Sequence, residues 1–489
     1  MAVNNELHAA EVSEALNEVK FSGFHLRTII TAGMGFFTSA YDLAVIGTAI
    51  ALFAGPWMAK MYGAHPTAHQ KIEFAFLIGL IGSISLFATF LGALFFGAIA
   101  DKFGRKRIYG IEAALMAIGA VGSAFAGGPI AMLIWRTVMG FGIGGDYPLS
   151  AVIMSEYANR ENRGKMVGMV FSGQALGFLA GPVIALTMLA AGVSHELTWR
   201  ILLGLGAIPA AAVIILRRTM PESPRWMARA KGQGKEAAAG LVAYSEGAAV
   251  AATSDRANVI KEPLSKYFPT LIGTAGCWFL LDYVYYGNTV CMPQIINQVA
   301  PHATILTSTA WNVLIFGIFA VAGYVAAFMT CDKLGRKFIQ ILGFAMMAVT
   351  FGLIGLVPQL STMVVPFILV FGISYFFTEF GPNVTTFILA AELYPVNLRT
   401  TGHGISAGLG KFGAFLGVFL FPVIGATLGF RGSLLLSAGL AVLGVIVTVI
   451  FVKEPAGKSL EEAGRESDWE PAQKVITRDA MQTPVGASA

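Results

Sequence analysis

The stretch Gly140–Glu156, GFGIGGDYPLSAVIMSE, decides how the chain is read. It has the apolar content of a buried helix, yet it carries Asp146 beside a glycine pair and a tyrosine, and it ends on Glu156. At the centre of a bilayer an ionised aspartate costs roughly 3 kcal/mol on insertion scales. A cost of that size is normally offset by a pathway, a partner or a bound ion. Asp146 therefore marks function if its surroundings are a membrane.

Composition puts it in one. Of 489 residues, 56% are hydrophobic and 12% charged, whereas soluble domains carry about 25% charged residues. Twelve apolar runs close to the length that crosses a bilayer follow one another, over about 24–53, 76–100, 108–127, 129–155, 166–191, 199–217, 267–295, 306–330, 337–357, 362–391, 401–427 and 431–452. The expectation is an all-α, polytopic membrane protein. It divides into an N-terminal segment 1–23, a bundle 24–217, a central loop 218–266, a second bundle 267–453 and a polar tail 454–489, disordered past about Ser467.

Cys277, Cys291 and Cys331, none in a CxxC pair, give neither a disulfide framework nor a metal-ligand cluster. No metal and no cofactor is expected. The net charge of +5 is concentrated in alternate loops, so it is no nucleic-acid footprint. Lys102, Arg105, Lys106 and Arg107 follow the second span, Arg160, Arg163 and Lys165 the fourth, and Lys333, Arg336 and Lys337 the eighth. The central loop adds Arg217, Arg218, Arg225, Lys231, Lys261 and Lys266; the intervening loops hold little beyond Lys60, Lys71, Arg200 and Arg431. Basic loops stay in the cytoplasm, which places both termini there in a cell (inner or plasma) membrane. The polar start 1–20 has no positive n-region and no cleavage site, so it is not read as a signal peptide.

Two motifs repeat at half the chain length. GAIADKFGRKR ends the second span and CDKLGRKFIQ follows the eighth, with Asp332 some 231 positions beyond Asp101. Glu156 precedes Arg163 by seven residues, as Glu392 precedes Arg399, 236 positions later. Repetition on this scale predicts two similar six-helix halves. With PESPRW (Pro221–Trp226) after the sixth span, the DKxGRK loops make the chain resemble the major facilitator superfamily over nearly its whole length. The resemblance implies a structural and gating role for Asp101, Arg105, Glu156, Arg163, Asp332, Arg336, Glu392 and Arg399, as a charge relay on the cytoplasmic face.

Several residues make physical sense before any narrower resemblance. Trp278, Asp282 and Tyr286 are spaced i, i+4, i+8 and share one helix face, as do Glu379 and Asn383. An aspartate on a lipid-facing stripe would be costly, so the first stripe must look inward. Lys411 lies ten residues inside the eleventh span. A lone buried lysine tends to lose its proton, and Asp282 or Glu379 is expected to hold it charged. A lysine among hydroxyl, indole and amide donors suits an oxyanion at the midplane between halves. A purely structural Lys411–Asp282 pair is the competing reading, as is plain aromatic packing for Trp278 and Tyr286 and helix bridging for Gln174. In the first span, Asp42 has Thr38 and Ser39 on its own face; it is either capped by them or faces a polar cavity, the second being favoured.

GGDYPLSA (Gly144–Ala151) resembles the defining motif of the phosphate:proton symporters within that superfamily, and WFLLDYVYYGN (Trp278–Asn288), FGPNVTTFILAAELYP (Phe380–Pro395) and TTGHGISAGLGKFGAFLG (Thr400–Gly417) agree. This resemblance implies phosphate contacts at Tyr147, Gln174, Trp278, Asp282, Tyr286, Asn383 and Lys411, and proton-pathway carboxylates at Asp42, Asp146 and Glu112. The chain departs from the plant and fungal members, where an acid is expected at Ser39 and Asn at Glu379. Glu379 thus adds a further protonatable group near the site, or signals a different anion.

The function expected is proton-coupled uptake of inorganic phosphate by a monomer embedded in lipid, with phosphate and protons as its partners. Uptake of another small anion (an organic or aromatic carboxylate, sulfate or arsenate) and a nutrient receptor that binds without transport are the alternatives. The loop and tail carry no recognisable signalling module. An enzyme is not expected: HExxH, GxSxG and GxxxxGK[ST] motifs are absent, and the glycine run Gly140–Gly145 lies inside a span with no strand before it.

Overall fold

The computed structural model describes residues 12–247 and 259–467. These residues form twelve long helical passes. In the first half they are α1 (Gly23–Tyr62), α2 (Ala68–Phe103), α3 (Ile111–Ala124), α4 (Pro129–Tyr157), α5 (Arg163–Ala190) and α6 (His195–Arg218). In the second they are α7 (Phe268–Val290), α8 (Ile305–Leu334), α9 (Arg336–Leu356), α10 (Val364–Glu392) and then α11 and α12. The last two share the run Arg399–Phe451 and are separated by non-helical backbone at Gly429, whose φ of 71° suits a residue without a Cβ. The expected all-α fold of twelve passes holds, and chain flexure at α11–α12 replaces the loop expected at 428–430.

The helices close together where their sequences are small. Gly140 and Gly144 of α4 lie against Ser85, Thr89 and Gly92 of α2, and Gly173 and Gly177 of α5 against Gly33 and Phe37 of α1. In the second half Gly413 and Gly417 of α11 meet Phe279 and Tyr283 of α7. Without a hydrophobic drive between helices in lipid, such backbone-to-backbone packing supplies the attraction. The same logic builds the seam between halves: Gly97 of α2 packs on Thr400 and Gly404 of α11, and Gly168 of α5 on Phe328 of α8. The α2–α11 and α5–α8 contacts occupy equivalent positions in the two halves. Large apolar side chains such as Phe95, Ile134, Ile208, Ile318 and Ile450 stay exposed on the perimeter, as a lipid-facing surface requires.

Two helices depart from regular geometry. α8 carries a π-helical turn at Ile315–Ala320, and α10 another at Glu379–Asn383, with non-helical backbone at Gly381 followed by Pro382. Proline removes a backbone donor and breaks the ladder, and such bulges concentrate at functional sites.

The polar segments carry order of their own among the described residues. A short helix over 12–18 buries Val12 and Leu16, and Asn17 accepts a hydrogen bond from Arg225 at 2.9 Å. The connection between halves folds helices at Pro224–Arg229 and Gly234–Ser245. The first part of the polar tail is docked: Leu460–Ala463 is helical, and Glu461 and Glu466 are buried against arginines. The disorder expected past Ser467, and parts of the segments 1–23 and 218–266, fall outside the described residues.

Candidate functional site

The seven side chains expected to contact the anion come together at the middle of the molecule. Lys411 Nζ of α11 donates to Asp282 Oδ2 at 2.8 Å and to the Tyr286 hydroxyl at 2.9 Å, both on α7. It also lies 4.5 Å from the ring centre of Tyr147 and 4.2 Å from that of Tyr286, within cation–π range. Gln174 Nε2 donates to the Tyr147 hydroxyl at 3.0 Å, and the Tyr147 and Trp278 rings are 6.0 Å apart. Asn383 Nδ2 donates to the Tyr324 hydroxyl at 3.0 Å, which donates to Gln174 Oε1 at 3.4 Å. None of the seven is more than 2% exposed, so the chamber is closed to both sides.

Of the two carboxylates expected to hold Lys411, it is Asp282 that does so. Trp278 Nε1 and Asp282 Oδ1 are buried with no hydrogen-bond partner. The Lys411 ammonium and the Trp278 indole thus face one acid, with hydroxyl and amide side chains from helices of both halves around them. An arriving oxyanion offers each donor an acceptor, and charge-assisted bonds of this kind are the strong ones.

The acids expected on the proton pathway lie apart from this cluster, in the first half. Asp42 is bonded neither to Thr38 nor to Ser39, whose hydroxyls donate to the backbone oxygens of Met34 and Gly35. It pairs instead with Arg136 of α4. Glu112 of α3 and Asp146 of α4 share one guanidinium, that of Arg217 on α6. Arg217 also stacks 3.8 Å over Tyr109 and donates to Ser150 at 3.2 Å, and Ser150 donates to Asp146 at 2.7 Å. Arg217 is therefore no loop charge, as its place beside Arg218 suggests, but the counter-ion that meets the cost of Asp146. Gly35 makes room for it, since a Cβ there would collide with both Asp146 and Arg217. Among the described residues no hydrogen bond links either arginine cluster to Lys411 or Asp282.

All eight relay residues meet at the basic face, in two copies of one arrangement. In the first, Arg105 contacts Asp101 at 3.1 Å and Glu156 at 3.0 Å, and Arg399 reaches Glu156 from the other half at 2.9 Å. In the second, Arg336 contacts Asp332 at 2.7 Å and Glu392 at 2.9 Å, and Arg163 reaches Glu392 across the seam at 2.9 Å. Asp101 accepts from the Thr401 N–H at 2.7 Å and Asp332 from the Lys165 N–H at 2.7 Å. Each aspartate thereby caps the first turn of a helix in the opposite half, where the macrodipole favours a negative charge.

Several residues with structural weight were not singled out in the sequence. Glu222 and Glu454 accept from the backbone N–H groups that open the two DKxGRK turns, at 3.0 Å to Arg105 and 3.0 Å to Arg336; their shared Glu–Pro contexts were the available signal. Arg225 pairs with Glu461 and Arg229 with Glu466, while Glu466 also accepts from Arg399 at 3.4 Å. Burial alone would raise the Glu461 carboxyl, but Arg225 and Arg229 outweigh it and hold it at about 2. His403 lies buried between Trp278 and Phe387, with ring centres 5.4 and 5.2 Å away. Tyr324 joins Asn383 to Gln174.

The chain is similar to known proteins over nearly its whole length. The model of the family described as "Sugar (and other) transporter" matches residues 28–466. The chain is 33% identical to a probable inorganic phosphate transporter 1-6 of Arabidopsis thaliana, covering 95% of this chain and 98% of that one. It is 34% identical to inorganic phosphate transporter 1-1 of Oryza sativa subsp. japonica, covering 93% and 96%. Among solved structures it superposes on the proton:xylose symporter XylE with a TM-score of 0.76 at 21% identity, over 90% of this chain and 98% of that one. It also superposes on the human organic anion transporter MFSD10 with a TM-score of 0.63 at 18% identity, over 87% and 100%. Twelve passes in two repeated halves, a duplicated ionic clamp and a full-length family match lead to one assignment: the chain belongs to the sugar (and other) transporter family of the major facilitator superfamily and is a multi-pass membrane transporter.

Proposed function

We propose that the protein imports inorganic phosphate together with protons by alternating access. The observation that carries this reading is Lys411, held between Asp282 and Tyr286 in a closed chamber lined by donors from both halves. Full-length relatives named as inorganic phosphate transporters support the choice of anion. The basic face is cytoplasmic, the membrane is the cell (inner or plasma) membrane, and one chain is the working unit, since chamber and acids all lie within it.

The chemistry follows from charge. Phosphate approaching Lys411 meets Asp282 on the same ammonium; two like charges at contact cost roughly 4 kcal/mol at an effective dielectric near 20. The anion takes over Lys411 and Tyr286, and the displaced Asp282 binds a proton, becoming a hydrogen-bond donor. Each ligand then favours the other, and that coupling is reciprocal. Tyr147, Gln174, Trp278 and Asn383 orient the anion. In the first half, Asp42, Glu112 and Asp146 exchange protons as Arg136 and Arg217 move between partners, with Glu379 a fourth candidate in the second half. Opening toward the cytoplasm breaks both copies of the clamp, and the halves rock about the chamber.

The test is uptake of radiolabelled phosphate into liposomes holding the purified protein, with and without an inward acid gradient. Accumulation only with the gradient is expected; none in either condition overturns the reading. Glu379, an extra acid close to the chamber, favours a carboxylate or sulfate as the second reading. Full competition of phosphate uptake by those anions at equal concentration would select it.

A further inference from the structure

Within the described residues, the acids buried in the membrane-spanning helices have cationic partners with one exception. Asp42 has Arg136, Glu112 and Asp146 have Arg217, Asp282 has Lys411, and Glu156 and Glu392 have the clamp arginines. Glu379 is fully buried and forms no ion pair. It sits at the π-helical break of α10, where the close approach of Gly323 of α8 and of Gly343 of α9 keeps the surroundings dry and tightly packed. Its Oε2 accepts from Asn383 Nδ2. Its Oε1 and the buried hydroxyl of its neighbour Tyr285 make no hydrogen bond of regular geometry, and the Tyr285 and Tyr324 hydroxyls lie close enough to act on the carboxylate.

The groups that face it are few. Helix α7 presents Asp282 and Tyr285, α8 presents Tyr324, and α10 itself presents Asn383 and Tyr375. Lys411 of α11 lies beyond Asp282, which already neutralises it. An ionised Glu379 would thus be a buried charge with amide and hydroxyl neighbours but no cation, an arrangement that costs several kcal/mol. One proton on Oε1 removes the charge and creates a donor, and the Tyr285 oxygen is an unused acceptor beside it.

A hydrogen-bonded chain leads from this carboxyl to the anion site. It runs from Glu379 through Asn383, Tyr324 and Gln174 to Tyr147, whose ring lies under Lys411. The Tyr324–Gln174 link is the one that crosses between halves, so it is the link that rocking breaks.

We infer that Glu379 is a second, separate proton-binding site, carried by the C-terminal half and occupied in this closed form. It is additional to the acids of the N-terminal half, and it rests on the proton-coupled reading above. The step is the formation of one O–H bond on the carboxylate as the carrier loads from outside, and its loss to the cytoplasm when the Tyr324–Gln174 link opens. Each anion therefore travels with one proton more than the N-terminal half and Asp282 supply.

Two measurements test it. Infrared difference spectra of wild type against E379Q and E379D in detergent at neutral pH, without substrate, read the carbonyl stretch of a neutral carboxylic acid. The band should vanish in E379Q and move in E379D; a wild-type spectrum unchanged by both overturns the proposal, and if E379Q fails to fold, E379D alone decides. In liposomes at zero membrane potential, the slope of log phosphate accumulation against the pH gradient should fall by one in E379Q; an unchanged slope overturns it. If wild type moves no phosphate, the anion assignment falls, while the infrared result still decides the proton site.

Discussion

The two halves share a frame and differ in how they hold charge. In the N-terminal half two arginines besides those of the clamp are buried, one on Asp42 and one shared by Glu112 and Asp146, and among the described residues neither cluster is hydrogen-bonded to Lys411 or Asp282. In the C-terminal half one lysine sits in the chamber on one aspartate, and a second acid stands without a cation. Guanidinium is always charged and grips two carboxylates at once, whereas an ammonium is a compact charge that can be handed from one oxygen to another. The clamp has the same plan in both halves while the interiors differ: the N-terminal half holds its acids on arginines, and the C-terminal half holds Lys411 on Asp282 and leaves Glu379 without a cation.

The sharpest break in that comparison is K411A. Removing one member of a buried pair leaves Asp282 uncompensated and costs about 3–5 kcal/mol of stability, and saturable phosphate binding should disappear. The double variant K411A/D282N should regain most of the melting temperature and none of the uptake, read by thermal unfolding and liposome flux. In the other half, R217Q should lose a similar amount of stability, because Glu112 and Asp146 are left facing one another. D146N should keep phosphate exchange and lose acid-driven accumulation; an unaltered pH dependence of accumulation would count against a proton role for Asp146.

The clamp offers a finer comparison, since its copies should be equivalent. E156Q and E392Q each weaken contacts to two arginines. Hydrogen bonds to charged groups contribute about 1.5–3 kcal/mol, so either variant should shift the closed form on the order of ten- to a hundred-fold toward one open at the basic face. Labelling of a cysteine placed at the basic face would read it, and unequal shifts would show that the two halves do not share the latch. The smallest effect belongs to the docked tail. With the Glu461 carboxyl at about 2 against an ordinary 4.5, its contribution is fully present above about pH 4.5 and is lost as pH falls toward 2. Hydrogen exchange of the helix Leu460–Ala463 should quicken beyond its intrinsic rate as pH falls from about 4.5 toward 2.

Much of this was legible in the chain. The offset from Asp101 to Asp332 and the i, i+4, i+8 spacing of Trp278, Asp282 and Tyr286 are arithmetic facts that survive folding, and both led to real neighbours. The counter-ions were not legible. Arg217 stands next to Arg218 at the end of an apolar run, where orientation rules predict loop cations, and only the crossing of α3, α4 and α6 shows that one of the two turns inward. Arg136 has no charged neighbour in sequence to announce Asp42, 94 positions away. The tail was read as polar, with disorder only past about Ser467, but nothing in the sequence shows that Glu461 and Glu466 are buried against Arg225, Arg229 and Arg399.

The seam between α2 and α11 has a mechanical consequence. At Gly97 and Gly404 the helices touch main chain to main chain, with no side chain interlocked between them. One turn and more away, Phe87 and Phe90 of α2 mesh with Phe412 and Phe415 of α11, so the seam is a smooth pivot at the glycines and toothed beyond them. A methyl group at either glycine would act as a wedge at that pivot, forcing the main chains apart without touching ion or anion.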